Sequence, residues 1–128
     1  MTSEELKRRT KQFALSMITL VEGLPKGKTA DIIGRQLLRS ATSVGAHYRA
    51  ACRARSQADF ISKIGVAEEE VDESAYWLGL LCEGQVIKHD RIASLLKEAN
   101  ELTAIFSASE KTARERRSWR QHQAVCSV

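Results

Sequence analysis

The residues of this chain best suited to nucleophilic or metal chemistry are three histidines, three cysteines and a run of carboxylates, Glu68-Glu69-Glu70 with Asp72 and Glu73. Their spacing offers little. His47, His89 and His122 lie on separate segments. Cys52, Cys82 and Cys126 form no CxxC pair and are odd in number, which suggests free thiols rather than a disulfide framework. On a helix, Cys52 and His47 point about 140° apart, a poor dyad. A di-metal carboxylate bundle needs Glu-x-x-His on two of its helices, and the chain contains no such motif. The carboxylate run has no histidine beside it and reads as a solvated face or a partner for arginines. There is no nucleophile elbow, no GxGxxG and no Walker A sequence. The expectation is a protein with no catalytic residue, no metal and no cofactor.

The basic residues are the remaining chemical signal. Arg35, Arg39, Arg49, Arg53, Arg55 and Lys63 follow one another through the second predicted helix, the next turn and the start of the third. Lys7, Arg8, Arg9 and Lys11 cluster near the start, and Arg114, Arg116, Arg117 and Arg120 near the end. The guanidinium fork suits phosphate, so RNA or DNA is a candidate partner. Aromatic residues make up only 5% of the chain, which argues against a stacking platform for single strands and for backbone-led binding. The charge is also polarised. Residues 1–66 carry 12 Lys/Arg against 5 Asp/Glu, residues 67–109 carry 3 against 9, and residues 110–128 carry 5 against 2. The competing reading is that these arginines pair with the chain's own acidic helix, within or between subunits.

The elements that must position these groups are helices. A chain of 128 residues with 43% hydrophobic content, one proline and seven glycines has one domain's worth of core and too few turn residues for an all-β fold. Four apolar stripes repeat in steps of three and four. The first holds Leu6, Phe13, Met17, Leu20 or Val21, and Leu24; it starts at Thr2 or Ser3 and stops at Gly23 and Pro25. The second opens with Thr29 as N-cap and holds Ile33, Leu37, Ala41, Val44, Tyr48 and Ala51. It is rich in small residues, Gly34 and Gly45 among them, which suggests close packing on more than one face and hence subunit association. The third is capped by Ser56, holds Phe60, Ile64, Ala67, Val71, Ser74, Leu78 and Leu81, and ends at Gly84. The fourth begins near Lys88 to Asp90 and holds Ile92, Leu95, Leu96, Ala99, Leu102 and Phe106. Beyond Arg116 the periodicity fades. The expected fold is all-α, an antiparallel up-down-up-down four-helix bundle over residues 1–116, with a flexible tail over 117–128 in which Trp119 offers a group for docking. No apolar run approaches the roughly 18 residues of a membrane span, and Met1–Thr10 lacks the pattern of a signal peptide. No membrane association is expected, and the cytoplasm is the expected location.

The stretch from Gln36 to Phe60 resembles a known family. Leu37-Leu38-Arg39-Ser40-Ala41-Thr42-Ser43-Val44-Gly45-Ala46, then Arg53, then Ser56-x-x-Asp59-Phe60, is similar to the small four helix bundle proteins first found encoded in intervening sequences of bacterial large-subunit ribosomal RNA genes. That origin explains their older label, the S23 ribosomal protein family, which does not denote a component of the ribosome. The segments Ala75-Tyr76-Trp77-Leu78, Ala104-Ile105-Phe106 and Lys111-Thr112-Ala113-Arg114 look similar too, so the resemblance spans about residues 8–115. It implies a left-handed antiparallel bundle of bacterial origin, assembly into a ring-like homopentamer, and no known catalysis. The accessory variability determinant of diversity-generating retroelements resembles the family in fold. By analogy it implies binding to nucleic acid and to a reverse transcriptase. Family members often carry Asn-Ile-Ala-Glu-Gly where this chain has His47-Tyr48-Arg49-Ala50-Ala51, which implies a longer or straighter second helix here.

Overall fold

The computed structural model describes the backbone of residues 1–126 and the side chains of residues 1–117. Its elements are α1 (Ser3–Glu22), α2 (Lys28–Cys52), α3 (Gln57–Glu83), a 3-10 turn over His89–Arg91, and α4 (Ala93–Cys126). Short connections make successive helices antiparallel neighbours. The result is an all-α up-down-up-down four-helix bundle. Consecutive helices pack extensively, whereas α1 meets α4 much more lightly.

Local chemistry sets most of the boundaries. Thr2 caps α1 in a full capping box: its hydroxyl accepts the Glu5 N–H at 3.1 Å, and the Glu5 carboxylate accepts the Thr2 N–H at 3.2 Å. Ser56 caps α3 by accepting the Asp59 N–H at 3.0 Å. Asp59 has a shorter side chain than the usual Glu, and its carboxylate takes the N–H of Arg55 rather than that of Ser56. The N-cap of α2 is Gly27, not Thr29. The Gly27 carbonyl accepts the Asp31 N–H at 3.0 Å, so the first turn closes two residues earlier, and a φ of 156° suits glycine there. The second helix runs unbroken through His47–Ala51 to Cys52.

At the end of α3, Gly84 is the C-cap, but the residue that turns the chain is Gln85, with φ 62°. The Val86 N–H reaches the Leu81 carbonyl at 2.9 Å and the Gln85 N–H reaches Cys82 at 3.0 Å, a Schellman closure with a non-glycine residue in the left-handed position. Gln85→Gly is therefore expected to stabilise the fold by about 1 kcal/mol, read as a higher urea midpoint at unchanged slope.

Periodicity identifies most of the core. Leu6, Phe13, Met17, Leu20, Leu37, Ala41, Val44, Tyr48, Ala51, Ile64, Ala67, Val71, Ser74, Leu78, Leu81, Ile92, Ala99, Leu102 and Phe106 are buried. Several positions differ. Ile61 occupies the core place expected of Phe60, which is half-buried, as are Ile33, Leu95 and Leu96. Thr10 and Ser40 are buried polar residues that an apolar stripe misses. Both are satisfied: Thr10 Oγ1 donates to the Lys7 carbonyl at 3.0 Å, and Ser40 Oγ lies 2.9 Å from Ser74 Oγ across the α2–α3 seam. The glycines of α2 are used inside the subunit. A Cβ at Gly45 would lie 3.2 Å from Thr10 Oγ1, and one at Gly34 would lie 3.1 Å from Leu24 Cδ1 and 3.4 Å from Val21 Cγ1, so Gly45 lets α1, and Gly34 the end of α1 and the loop after it, approach α2 closely. The small residues thus carry no independent argument for association. The fourth helix continues past Arg116 to Cys126, because residues after Ala113 contain no glycine or proline to stop it even where the apolar stripe is lost. The side chain of Trp119 and residues 127–128 of the expected tail lie outside the described residues.

Candidate nucleic-acid interface

The six basic residues singled out by the sequence fall into two groups. Three are engaged within the chain. Arg35 pairs with Asp31 one turn back at 3.2 Å. Arg39 crosses from α2 to α3, reaching Glu70 at 3.4 Å and also Glu73, whose carboxylate accepts the Trp77 indole N–H at 3.1 Å. Lys63 pairs with Asp59 at 2.6 Å. That bond, opposed by slight burial and aided by the Arg55 N–H and the charges of Lys63 and Arg55, holds the Asp59 carboxyl below its ordinary value. The other three, Arg49, Arg53 and Arg55, are exposed and make no ion pair among the described residues. They gather where α2 ends and the turn leads to the capped start of α3.

The terminal basic clusters divide in the same way. Arg9 is a clamp between α1 and α4: its Nε donates to Glu98 at 3.0 Å and a terminal nitrogen reaches Glu101 at 3.0 Å. Hydrogen bonding to Glu98 and the charges of both carboxylates, opposed by some burial, raise the Arg9 guanidinium above its ordinary value. Lys7 pairs with Glu4, and Arg114 with Glu110 at 2.8 Å. Arg8, Lys11, Arg116 and Arg117 are exposed. Arg120 lies outside the described side chains.

Residues 3–108 match the family model described as 23S rRNA-intervening sequence protein. The chain belongs to this family. A similar solved structure is that of a protein with unknown function from the S23 ribosomal protein family of Bacteroides thetaiotaomicron. It is 32% identical, covers 87% of this chain and 99% of its own, and superposes with a TM-score of 0.80. No curated protein matches the chain.

Within the intervening-sequence family match lie all six basic candidates and an acidic groove, formed by part of the carboxylate run expected to be a solvated face or a partner for arginines. Gly65, Glu68, Glu69, Asp72 and Thr103 line a shallow groove of 340 Å³ between α3 and α4. Burial, hydrogen bonding to Glu110 and the charges of Glu110, Asp72 and Glu69 all push the Glu68 carboxyl above its ordinary value. Among the described residues, no basic side chain pairs with Glu68, Glu69 or Asp72, and no group of His, Cys, Asp and Glu is arranged to hold a metal. A carboxyl whose folded value exceeds its unfolded one loses stability as pH rises through the folded value. Glu68→Gln is accordingly expected to melt higher than the parent at pH 7 and to converge with it near pH 4, as thermal melts at the two pH values would show.

The remaining candidates for chemistry stay apart. The Tyr48 ring packs on Phe106 with centroids 5.7 Å apart, and burial, with the adjacent Cys52 thiol adding to it, pushes the phenol above its ordinary value. Cys52 is exposed, Cys82 is half-buried, and both are free thiols. Among the described residues, no helix is long and apolar enough to cross a membrane.

Proposed function

We propose that this chain is a non-catalytic assembly protein of the cytoplasm whose bundle associates with copies of itself in a closed ring. The observation that carries this reading is the outer face of α1. Leu15 and Ile18, one turn apart, are 48% and 40% exposed on a helix that touches α4 only lightly and is tied to it by the Arg9 clamp. Adjacent exposed aliphatics of this kind favour a protein surface as their cover. The family resemblance supports five copies per ring. Light scattering at tens of micromolar tests the proposal: a multiple of 14.3 kDa is expected, and a clean monomer overturns it.

A second reading, binding of RNA or DNA by the ring, is favoured by the three unpaired arginines. Exposed guanidinium groups at a helix start would meet phosphates, and repetition around a ring would add weak sites together. The salt slope of affinity rises by about 0.9 for each phosphate neutralised on duplex DNA. On this reading, Arg53→Ala with Arg55→Ala is expected to lower that slope and the affinity for structured RNA with little loss of melting temperature, whereas a role of the same arginines between subunits would lower stability or mass instead. Absence of binding by the parent protein at low salt, to duplex and single strands alike, overturns this reading.

A further inference from the structure

Two groups of like charge are left unbalanced inside the subunit. One is the arginine turn, Arg49, Arg53 and Arg55. The other is the acidic groove, Glu68, Glu69 and Asp72, between α3 and α4. Each repels itself, and each would be neutralised by the other. They do not meet within one copy. Among the described residues no arginine pairs with Glu68, Glu69 or Asp72, and the groove opens beside Thr103 of α4, whereas α2 meets α3 on the side of Glu70 and Glu73. Arg53 and Arg55 stand at the turn, and Asp72 is sixteen residues beyond the Ser56 cap, about 24 Å along α3. The acids that are within reach of α2 are already occupied, Glu70 and Glu73 by Arg39. The acid nearest the turn, Asp59, is held by Lys63.

We infer that the arginine turn of one copy docks on the acidic α3–α4 groove of the next. This rests on the assembly reading and names the contact that builds it. Two different patches meeting make a heterologous interface, which closes into a ring when the rotation between copies permits and otherwise propagates. The partner is a second copy of this chain, because that copy carries both charge patterns in the required number. Desolvation is modest in so shallow a groove, so the contact supplies orientation and a salt-sensitive share of the affinity, alongside the apolar face of α1.

Charge exchange on the full-length chain tests the pairing. The double variant R53E/R55E and the double variant E69R/D72R are each expected to weaken association about tenfold or more and to sediment as smaller species than the parent. The quadruple variant carrying both sets restores opposite charges across the contact and is expected to regain the parent's mass. Helicity by circular dichroism accompanies each measurement. The neutral variant R53Q/R55Q replaces either reversal that does not fold, and its expected result is the same loss of mass. A parent that is itself monomeric overturns the assembly reading and this contact with it. A parent that assembles while a folded double variant keeps the full mass overturns the contact alone. If that variant has also lost affinity for RNA, the arginine turn belongs to nucleic acid instead. A folded quadruple variant that stays dissociated likewise overturns the pairing.

Discussion

Leu78→Asp is expected to abolish the native bundle. Leu78 is fully buried on α3, the helix that packs along both α2 and α4, so no rotation of its side chain reaches water. The substitution removes an aliphatic side chain worth about 2–5 kcal/mol in packing and transfer. It also places a carboxylate where no cation waits. Ionised, that group costs several kcal/mol; protonated, it still leaves a buried polar group to satisfy. Against a total stability of about 5–15 kcal/mol, either form removes the cooperative transition. The measurement is a thermal melt followed by near- and far-ultraviolet circular dichroism. A soluble variant melting like the parent would mean that Leu78 faces outward and that the register of α3 is wrong.

That register is the part of the fold most legible in the sequence, and the reason is physical. Helix stops and starts depend on a few adjacent residues. Gly23 and Pro25 end α1 and Ser56 opens α3, and each can be read without knowing what lies across the bundle. The long apolar stripe from Ile64 to Leu81 averages over many residues, so a single ambiguous position does not move it. Where only one position decides, local pattern fails. Phe60 and Ile61 are both apolar, and the choice between them depends on how α3 rolls against its neighbours at its first turn, where Ile61 turns inward. Thr10 is invisible as a core residue until Gly45 is seen opposite it. The end of α4 was illegible for the opposite reason: a helix can continue on intrinsic propensity after its apolar face has ended.

The charge distribution was legible in kind and not in detail. Arginine density marks the stretch from Arg35 to Lys63, and the pairs Arg35–Asp31 and Lys63–Asp59 lie within one helical turn, but the engagement of Arg39 depends on partners more than thirty positions away. Arg39 finds Glu70 and Glu73 because the α2–α3 seam sets Ser40 against Ser74, a match of levels that no spacing along one helix reveals. Arg9 finds Glu98 and Glu101 across the lightly packed α1–α4 side for the same reason. The acidic run was visible, but its separation into Glu70 and Glu73, which are paired, and Glu68, Glu69 and Asp72, which are not, follows only from the direction each carboxylate takes around α3.

Phe106→Ala is expected to cost about 3–5 kcal/mol, the usual range for emptying a buried phenylalanine site. The argument is stronger here than for an average core ring. Phe106 is fully buried midway along α4, a helix that α1 supports only lightly. Its ring contacts Tyr48 of α2, so it ties α4 to a helix that is not its sequence neighbour. Removing it both opens a cavity and releases that tie. An aromatic pair of this kind adds about 0.5–1.5 kcal/mol beyond buried area, so Phe106→Leu, which refills most of the volume, should still lose part of the effect. A double-mutant cycle with Tyr48→Leu separates the two contributions, with a coupling of about 1 kcal/mol expected between the rings. Urea unfolding at one fixed protein concentration is the appropriate measurement, because association stabilises the folded state by mass action and would otherwise shift every midpoint. A loss below about 1 kcal/mol for Phe106→Ala would show that α4 is held by its seam with α3 alone, and that the link from α4 to α2 contributes nothing to closing the bundle.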